Sequence, residues 1–168
     1  MKQNMTYNLP ILKYQNDQFI ETTDSYATEF PITIIINGEE FATIVCSPKH
    51  LEELVLGFIA SEGVIKKKSE IKSISIDDSK GFAHVELTKE IDINFKKNTQ
   101  RMISSCCGKS RAFYFNNDAV TAKVSQSKIN ITPQQIITMM DKLHEESKIF
   151  KETGGLHNAA ICDGDDFY

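Results

Sequence analysis

The sequence predicts an α+β protein: a β-rich N-terminal domain with one helix, then the beginning of an incomplete α/β domain. Three observations carry that expectation. Two β-branched runs, residues 32–36 and 41–45, meet at Asn37-Gly38, a pair that accepts the positive φ of a two-residue hairpin turn. Two longer stretches, around 47–65 and 131–150, repeat apolar residues at helical spacing. Between them lie IKSISI and FAHVEL, alternating runs of the kind that make half-buried strands.

Taken in order, residues 1–30 mix polar and apolar positions without period and read as an irregular arm or an edge strand. The hairpin follows. In SPKHLEELVLGFIASEGVI, Ser47 suits a helix cap, Pro48 the first helical position, and Glu52 and Glu53 the positive N-terminal turn. Leu51, Leu54, Val55, Phe58 and Ile59 share one helical face, and Gly63 is a natural stop. Gly57 inside the helix costs about 1 kcal/mol against alanine, which points to close packing against a strand. Lys66, Lys67 and Lys68 read as a solvated cationic helix end.

After IKSISI, the turn DDSKG and FAHVEL, the runs IDINF, RMIS and AFYF are further strand candidates, leaving SSCCGKSR as a connection. Residues 120–130 are polar and thin in large apolar side chains, which sets the expected domains at 1–127 and 128–168. Thr132 with Gln135 forms a capping box ahead of a second helix, with Pro133 in its first turn. Ile136, Met140, Leu143 and Phe150 make its stripe. In TGGLHNAAICDGDDFY, Leu156 and residues 159–161 look like the start of a strand, DGDD like a turn, and Phe167 with Tyr168 like a return strand. The chain reads as one cut inside a second α/β unit, and the open apolar helix face leads to an expected homodimer.

The 168 residues carry a formal charge of −4, the wrong sign for a general nucleic-acid binder. The N-terminus has no apolar run of signal-peptide length, and no window approaches a membrane span. The expectation is a cytoplasmic protein with no membrane partner, its four cysteines held as thiols.

Those cysteines divide. Cys46 and Cys162 each end an apolar run and read as small buried hydrophobes. Cys106 and Cys107 stand side by side, followed by Gly108, Lys109 and Arg111. Cations lower a thiol's pKa, and the thiolate is the nucleophile. Adjacent side chains diverge, so a metal site is not expected. A disulfide between neighbours is strained. A reactive sulfur remains, one that carries a group or exchanges as a redox pair; a non-catalytic binding module is the third reading. His157, two residues beyond Gly154 and Gly155, is the histidine best placed for chemistry, and a glycine turn with exposed amides is a potential anion site. His50, His84 and His144 read as surface residues.

Three stretches, in order, resemble the FdhD/NarQ family: NGEEFATIVCSPKHLEELVLGFIASEGVI, RMISSCCGKSR and TGGLHNAAICD. The resemblance covers nearly the whole chain. It implies a sulfurtransferase that takes persulfide sulfur from a cysteine desulfurase and passes it to the molybdenum cofactor, a bis-molybdopterin guanine dinucleotide. Formate dehydrogenase depends on that transfer. Cys107 keeps the family's register with Gly108 and Lys109, and Cys106 keeps it with Ser104 and Ser105, so the carrier falls on one of the two, Cys107 first. Lys109, Arg111, Gly154, Gly155 and His157 become candidate contacts to the anionic cofactor, which is an acceptor rather than a tightly bound group. The resemblance gives residues 128–168 a cytidine-deaminase-like α/β fold, with family members continuing beyond it.

Overall fold

A computed structural model describes residues 4–89, 102–103, 124, 126–163 and 166–167. The elements run β1 (Thr6–Gln15), β2 (Gln18–Ala27), β3 (Phe30–Ile36), β4 (Glu39–Cys46), α1 (Leu51–Ser61), a 3-10 turn (Lys68–Glu70), β5 (Ile71–Asp77), β6 (Phe82–Leu87), β7 (Met102–Ile103), α2 (Pro133–Glu146), α3 (Lys148–Thr153), β8 (Cys162–Asp163) and β9 (Asp166–Phe167). This is an α+β chain with few helices. It divides into two units, one built on Glu29–Lys123 and the other on Asn4–Thr28 with Val124–Tyr168.

The first unit is a mixed five-stranded sheet in the order β5-β6-β3-β4-β7. The hairpin β3–β4 turns at Asn37 and Gly38, with φ of 50° and 85°, as the sequence implied. Asn37 adds a tie that the motif alone does not reveal: its Oδ1 accepts the Leu87 N–H at 2.9 Å. Beside it, the Asn37 N–H reaches the Val85 oxygen at 2.9 Å, so the turn is fastened to the parallel neighbour β6.

On β3, Phe30, Ile32, Ile34 and Ile36 are buried while the residues between them are not. That is the period of two expected when one face meets the core. β4 breaks the period. A register shift opposite Ile34 and Ile35 gives β4 one extra residue, and this bulge lets the consecutive Phe41 and Ala42 both be buried. Ile44 of β4, Val55 and Ile59 of α1, with Ile65, Ala83, Val85 and Leu87, complete the cluster. Phe41 and Phe58 meet at 5.8 Å between ring centres.

Helix α1 begins at Leu51 rather than Pro48. Its N-cap is His50 in the left-handed region (φ 54°), with no side-chain cap, while the Lys49 N–H bonds the Ser47 oxygen in a separate tight turn. The sequence places Ser47 and Pro48 well for a helix start, but this turn takes them up first. The other end is as expected. Gly63 (φ 72°) donates to Ala60 and Val64 donates to Ile59 at 3.0 and 2.9 Å, a Schellman motif. Gly57 is exposed, and a Cβ there would meet nothing within 4 Å. The close packing expected of it is absent. Lys66, Lys67 and Lys68 are exposed, though they lie beyond the helix.

In the second unit, residues 6–27 are not irregular: β1 and β2 form a ten-residue antiparallel hairpin, paired from Thr6 with Ala27 to Gln15 with Gln18. Asn16 and Asp17, with φ of 51° and 59°, make its turn. Helix α2 carries the expected capping box, with Thr132 Oγ1 accepting the Gln135 N–H at 3.2 Å and Gln135 Oε1 accepting the Thr132 N–H at 3.0 Å. It does not run through to Phe150. Ser147 (ψ 59°) interrupts it, its hydroxyl donating to the Leu143 oxygen at 2.5 Å, a local bond that competes with the helix ladder. A short α3 follows. The strand expected from Leu156 is confined to β8, paired with β9. The candidate strands IDINF and AFYF, and the connection SSCCGKSR, lie outside the described residues.

Candidate functional site

The described part of the site is built by the end of α3. A carboxy-terminal helix turn needs a residue that reverses the backbone, and Gly154 supplies it at φ 65°. Its N–H closes the turn on the Phe150 oxygen at 2.7 Å. Thr153 then acts twice: its hydroxyl donates to the Ile149 oxygen at 2.8 Å and accepts the Gly155 N–H at 3.2 Å. Both glycine amides are therefore engaged inside the chain. The sequence suggested amides offered to an anion; in the structure their hydrogens are already committed.

What this turn does create is an open pocket of about 380 Å³ lined by Phe150, Gly154, Gly155, Leu156, His157 and Asn158. Gly154, Gly155 and His157, near neighbours in sequence, thus line one pocket. Phe150, Leu156 and Asn158 were not singled out beforehand. Phe150 reads from sequence as the last residue of a helical stripe, and only the break at Ser147 brings it to the pocket. Its ring meets His144 edge-on, with 6.3 Å between centres. The lining has no Lys, Arg, Asp or Glu. Such a site sets two apolar side chains beside an imidazole, a carboxamide and glycine backbone, a mixed and uncharged lining. A phosphate would need cations from elsewhere.

The four thiols separate as follows. Cys46 is half-buried, its Sγ–H directed to the Phe30 oxygen at 3.4 Å, and burial pushes its thiol up to about 11. It is inert at neutral pH. Cys162, expected in the core, is exposed instead, with its sulfur 3.1 Å from that of Met139; the β8–β9 pair has only two residues a side and builds no core around it. Cys106, Cys107, Lys109 and Arg111 lie outside the described residues. Among the described residues no three His, Cys, Asp or Glu side chains are grouped to hold a metal ion, and no helix is long and apolar enough to cross a membrane.

Comparison with known proteins adds the following. The model of the FdhD/NarQ family matches residues 27–168. A curated relative named sulfur carrier protein FdhD, from Staphylococcus haemolyticus strain JCSC1435, is 61% identical over 168 residues, which is 100% of this chain and 64% of the relative. A relative of the same name from Staphylococcus aureus strain MRSA252 is 60% identical, over 100% of this chain and 63% of the relative. The chain therefore spans less than two thirds of the length of these relatives. A crystal structure from Desulfotalea psychrophila, described as a candidate formate dehydrogenase accessory protein, is 25% identical with a TM-score of 0.48. That match covers 50% of this chain and 38% of the other.

Proposed function

The chain belongs to the FdhD/NarQ family, and from that premise we propose that it carries sulfur for the maturation of formate dehydrogenase. In this reading a cysteine desulfurase presents a persulfide, and the thiolate of Cys107 attacks its outer sulfur. The sulfur–sulfur bond of the donor breaks, the donor cysteine leaves as a thiolate, and Cys107 holds the persulfide. Cys106 is the alternate carrier. The acceptor is the molybdenum cofactor as substrate. Lys109 and Arg111 attract its phosphates, and the pocket of Phe150, Gly154, Gly155, Leu156, His157 and Asn158 receives a planar end of it.

The observation that carries the proposal is the family match, which spans in one run the cysteine pair with its adjacent cations and the Gly-Gly-Leu-His turn. Burial at Cys46 supports it by removing a competing nucleophile. The test is mass spectrometry after incubation with a cysteine desulfurase and cysteine. The SSCCGK peptide gains about 32 Da, one sulfur on the ladder of reversible thiol modifications. Cys107→Ser abolishes the adduct, Cys106→Ser weakens it, and Cys162→Ser leaves it unchanged. Loading that survives in the Cys106/Cys107 double mutant sinks the carrier assignment in favour of a binding module. Loss in the Cys106 variant alone moves the carrier to Cys106. A mild oxidant that consumes two free thiols in place of the adduct points to a redox pair.

A further inference from the structure

The β1–β2 hairpin is a two-stranded ribbon, and among the described residues no further strand pairs with it. Its two outer edges are not equivalent. In a hairpin with a two-residue turn, Gln15 and Gln18 close the ladder, so every second pair bonds inward. The pair at residues 5 and 28 obeys that phase, with the Thr28 N–H on the Met5 oxygen at 2.9 Å. Thr6, Asn8, Pro10, Leu12 and Tyr14 therefore turn their backbone groups outward on β1. Phe19, Glu21, Thr23, Ser25 and Ala27 do so on β2.

On β1 the middle outward position is Pro10, which has no donor, and an edge strand interrupted in that way resists pairing. On β2 the inner half is also closed. The Ser25 N–H is taken by Asp24 Oδ1 at 2.9 Å, and Ser25 and Ala27 are half-buried. Phe19 to Thr23 is the stretch left open. It has no proline, its residues are all exposed, and it presents Phe19 at 70% and Ile20 at 46% exposure. An open edge of this kind, with two exposed apolar side chains at one end, is a template for strand addition.

Charge decides the occupant. From the turn to the end of β2 the chain carries Asp17, Glu21 and Asp24 and no Lys or Arg. A second copy of β2 brings more acid and no base, and β1 of a second copy is blocked by its own proline. We propose that the edge of β2 from Phe19 to Thr23 receives an extended, basic peptide segment of a partner protein by strand addition.

Fluorescence anisotropy with a capped seven-residue peptide alternating valine and lysine tests this on the whole chain. The expected result is binding about fivefold tighter than to the same peptide with glutamate for lysine, since swapping like for opposite cross-strand charges is worth on the order of 1 kcal/mol. The difference shrinks at high salt. Glu21→Lys narrows or reverses the preference. Thr23→Pro copies onto β2 the device already present opposite it at Pro10. It removes an outward donor, leaves the hairpin's own bonds intact, and abolishes binding. Hairpin amide shifts confirm that this variant remains folded. Equal binding of the two peptides, no binding of either, or unchanged binding by the folded Thr23→Pro variant overturns the proposal. So does a dimer in sedimentation that Thr23→Pro dissolves and the basic peptide does not displace, which would make a second copy the occupant.

Discussion

Gly57 sits in the middle of α1 with open space where a side chain would be. Glycine there forfeits helix propensity without gaining contact, so Gly57→Ala is expected to stabilise the chain by about 0.5–1 kcal/mol. Chemical denaturation reads this as a higher midpoint at unchanged slope; a lower midpoint shows that the position is needed bare. Gly81 is the opposite case. It has φ 71°, and a Cβ would stand 2.6 Å from the Pro31 oxygen, so Gly81→Ala costs more than the roughly 1 kcal/mol of a left-handed alanine alone. Neither sign was legible in the sequence. Gly57 interrupts a helical pattern and Gly81 ends the DDSKG turn, and which of them faces backbone and which faces solvent is decided by tertiary packing.

Two carboxylates, Asp77 and Glu70, are held by hydrogen bonds that acid weakens. The Ser79 hydroxyl, at 2.6 Å from Asp77 Oδ1, and the Lys80 backbone N–H and charge hold the Asp77 carboxyl below its usual range. The Lys66 N–H, at 2.7 Å, and then Lys67 do the same for Glu70. A carboxyl whose pKa is lower in the folded than in the unfolded chain stabilises the fold above the unfolded value, about pH 4. That contribution is lost as pH falls through the folded value. The thermal midpoint should therefore decline below about pH 4, and Asp77→Asn should flatten part of that decline. A variant with an unchanged pH profile would remove Asp77 from the account.

Among elements, those whose partners are local in sequence were the readable ones. The Asn37-Gly38 turn, the Thr132–Gln135 capping box and the Gly63 stop each use groups within five residues, and each stands where the sequence placed it. The β1–β2 hairpin was read only as an irregular arm or an edge strand, for a definite reason. Alternation marks a strand only when one face is buried, and Tyr7, Leu9, Leu12, Tyr14, Phe19 and Ile20 are all exposed, on both faces. Asn16-Asp17 was the available signal, since both residues tolerate positive φ. The bulge in β4 was equally hidden, because it lies in the pairing of β4 with β3 and in the core that Phe41 and Ala42 both enter. Deleting that packing should be costly: Ile34→Ala in the middle of β3, fully buried, is expected to lose about 2–5 kcal/mol. A loss under 1 kcal/mol in calorimetry would show that the core collapses around the gap.

At the scale of the molecule the two units differ in what holds them. Every buried apolar side chain among the described residues belongs to the unit of Glu29–Lys123; the other contributes only Ser147 to the buried set. Burial of apolar area is the main stabilising term, so protection against hydrogen exchange should follow the same division. The amides of β3, β4 and β6 should exchange slowest, and those of β1, β2 and α2 markedly faster. Uniform protection across both sets would contradict it. The pocket was legible to the same uneven degree. Gly154, Gly155, His157 and Asn158 lie in one short stretch of sequence, whereas Phe150 joins them across a helix break that has no sequence signature beyond one serine.

The raised pKa of Cys46 also makes that residue a clock. At pH 8 a thiol with a pKa near 11 is ionised in only about one molecule in a thousand, and an alkylating reagent scarcely touches it while the sheet is closed. When β3 and β4 separate, the sulfur meets water, its pKa falls toward the ordinary value of about 8.5, and labelling becomes fast. Labelling of Cys46 faster than the closed-state thiolate fraction allows therefore reports openings of this hairpin in the native protein, without any introduced probe. Run alongside Ile34→Ala or Gly81→Ala, it separates substitutions that loosen this edge of the core from those that act only by global unfolding.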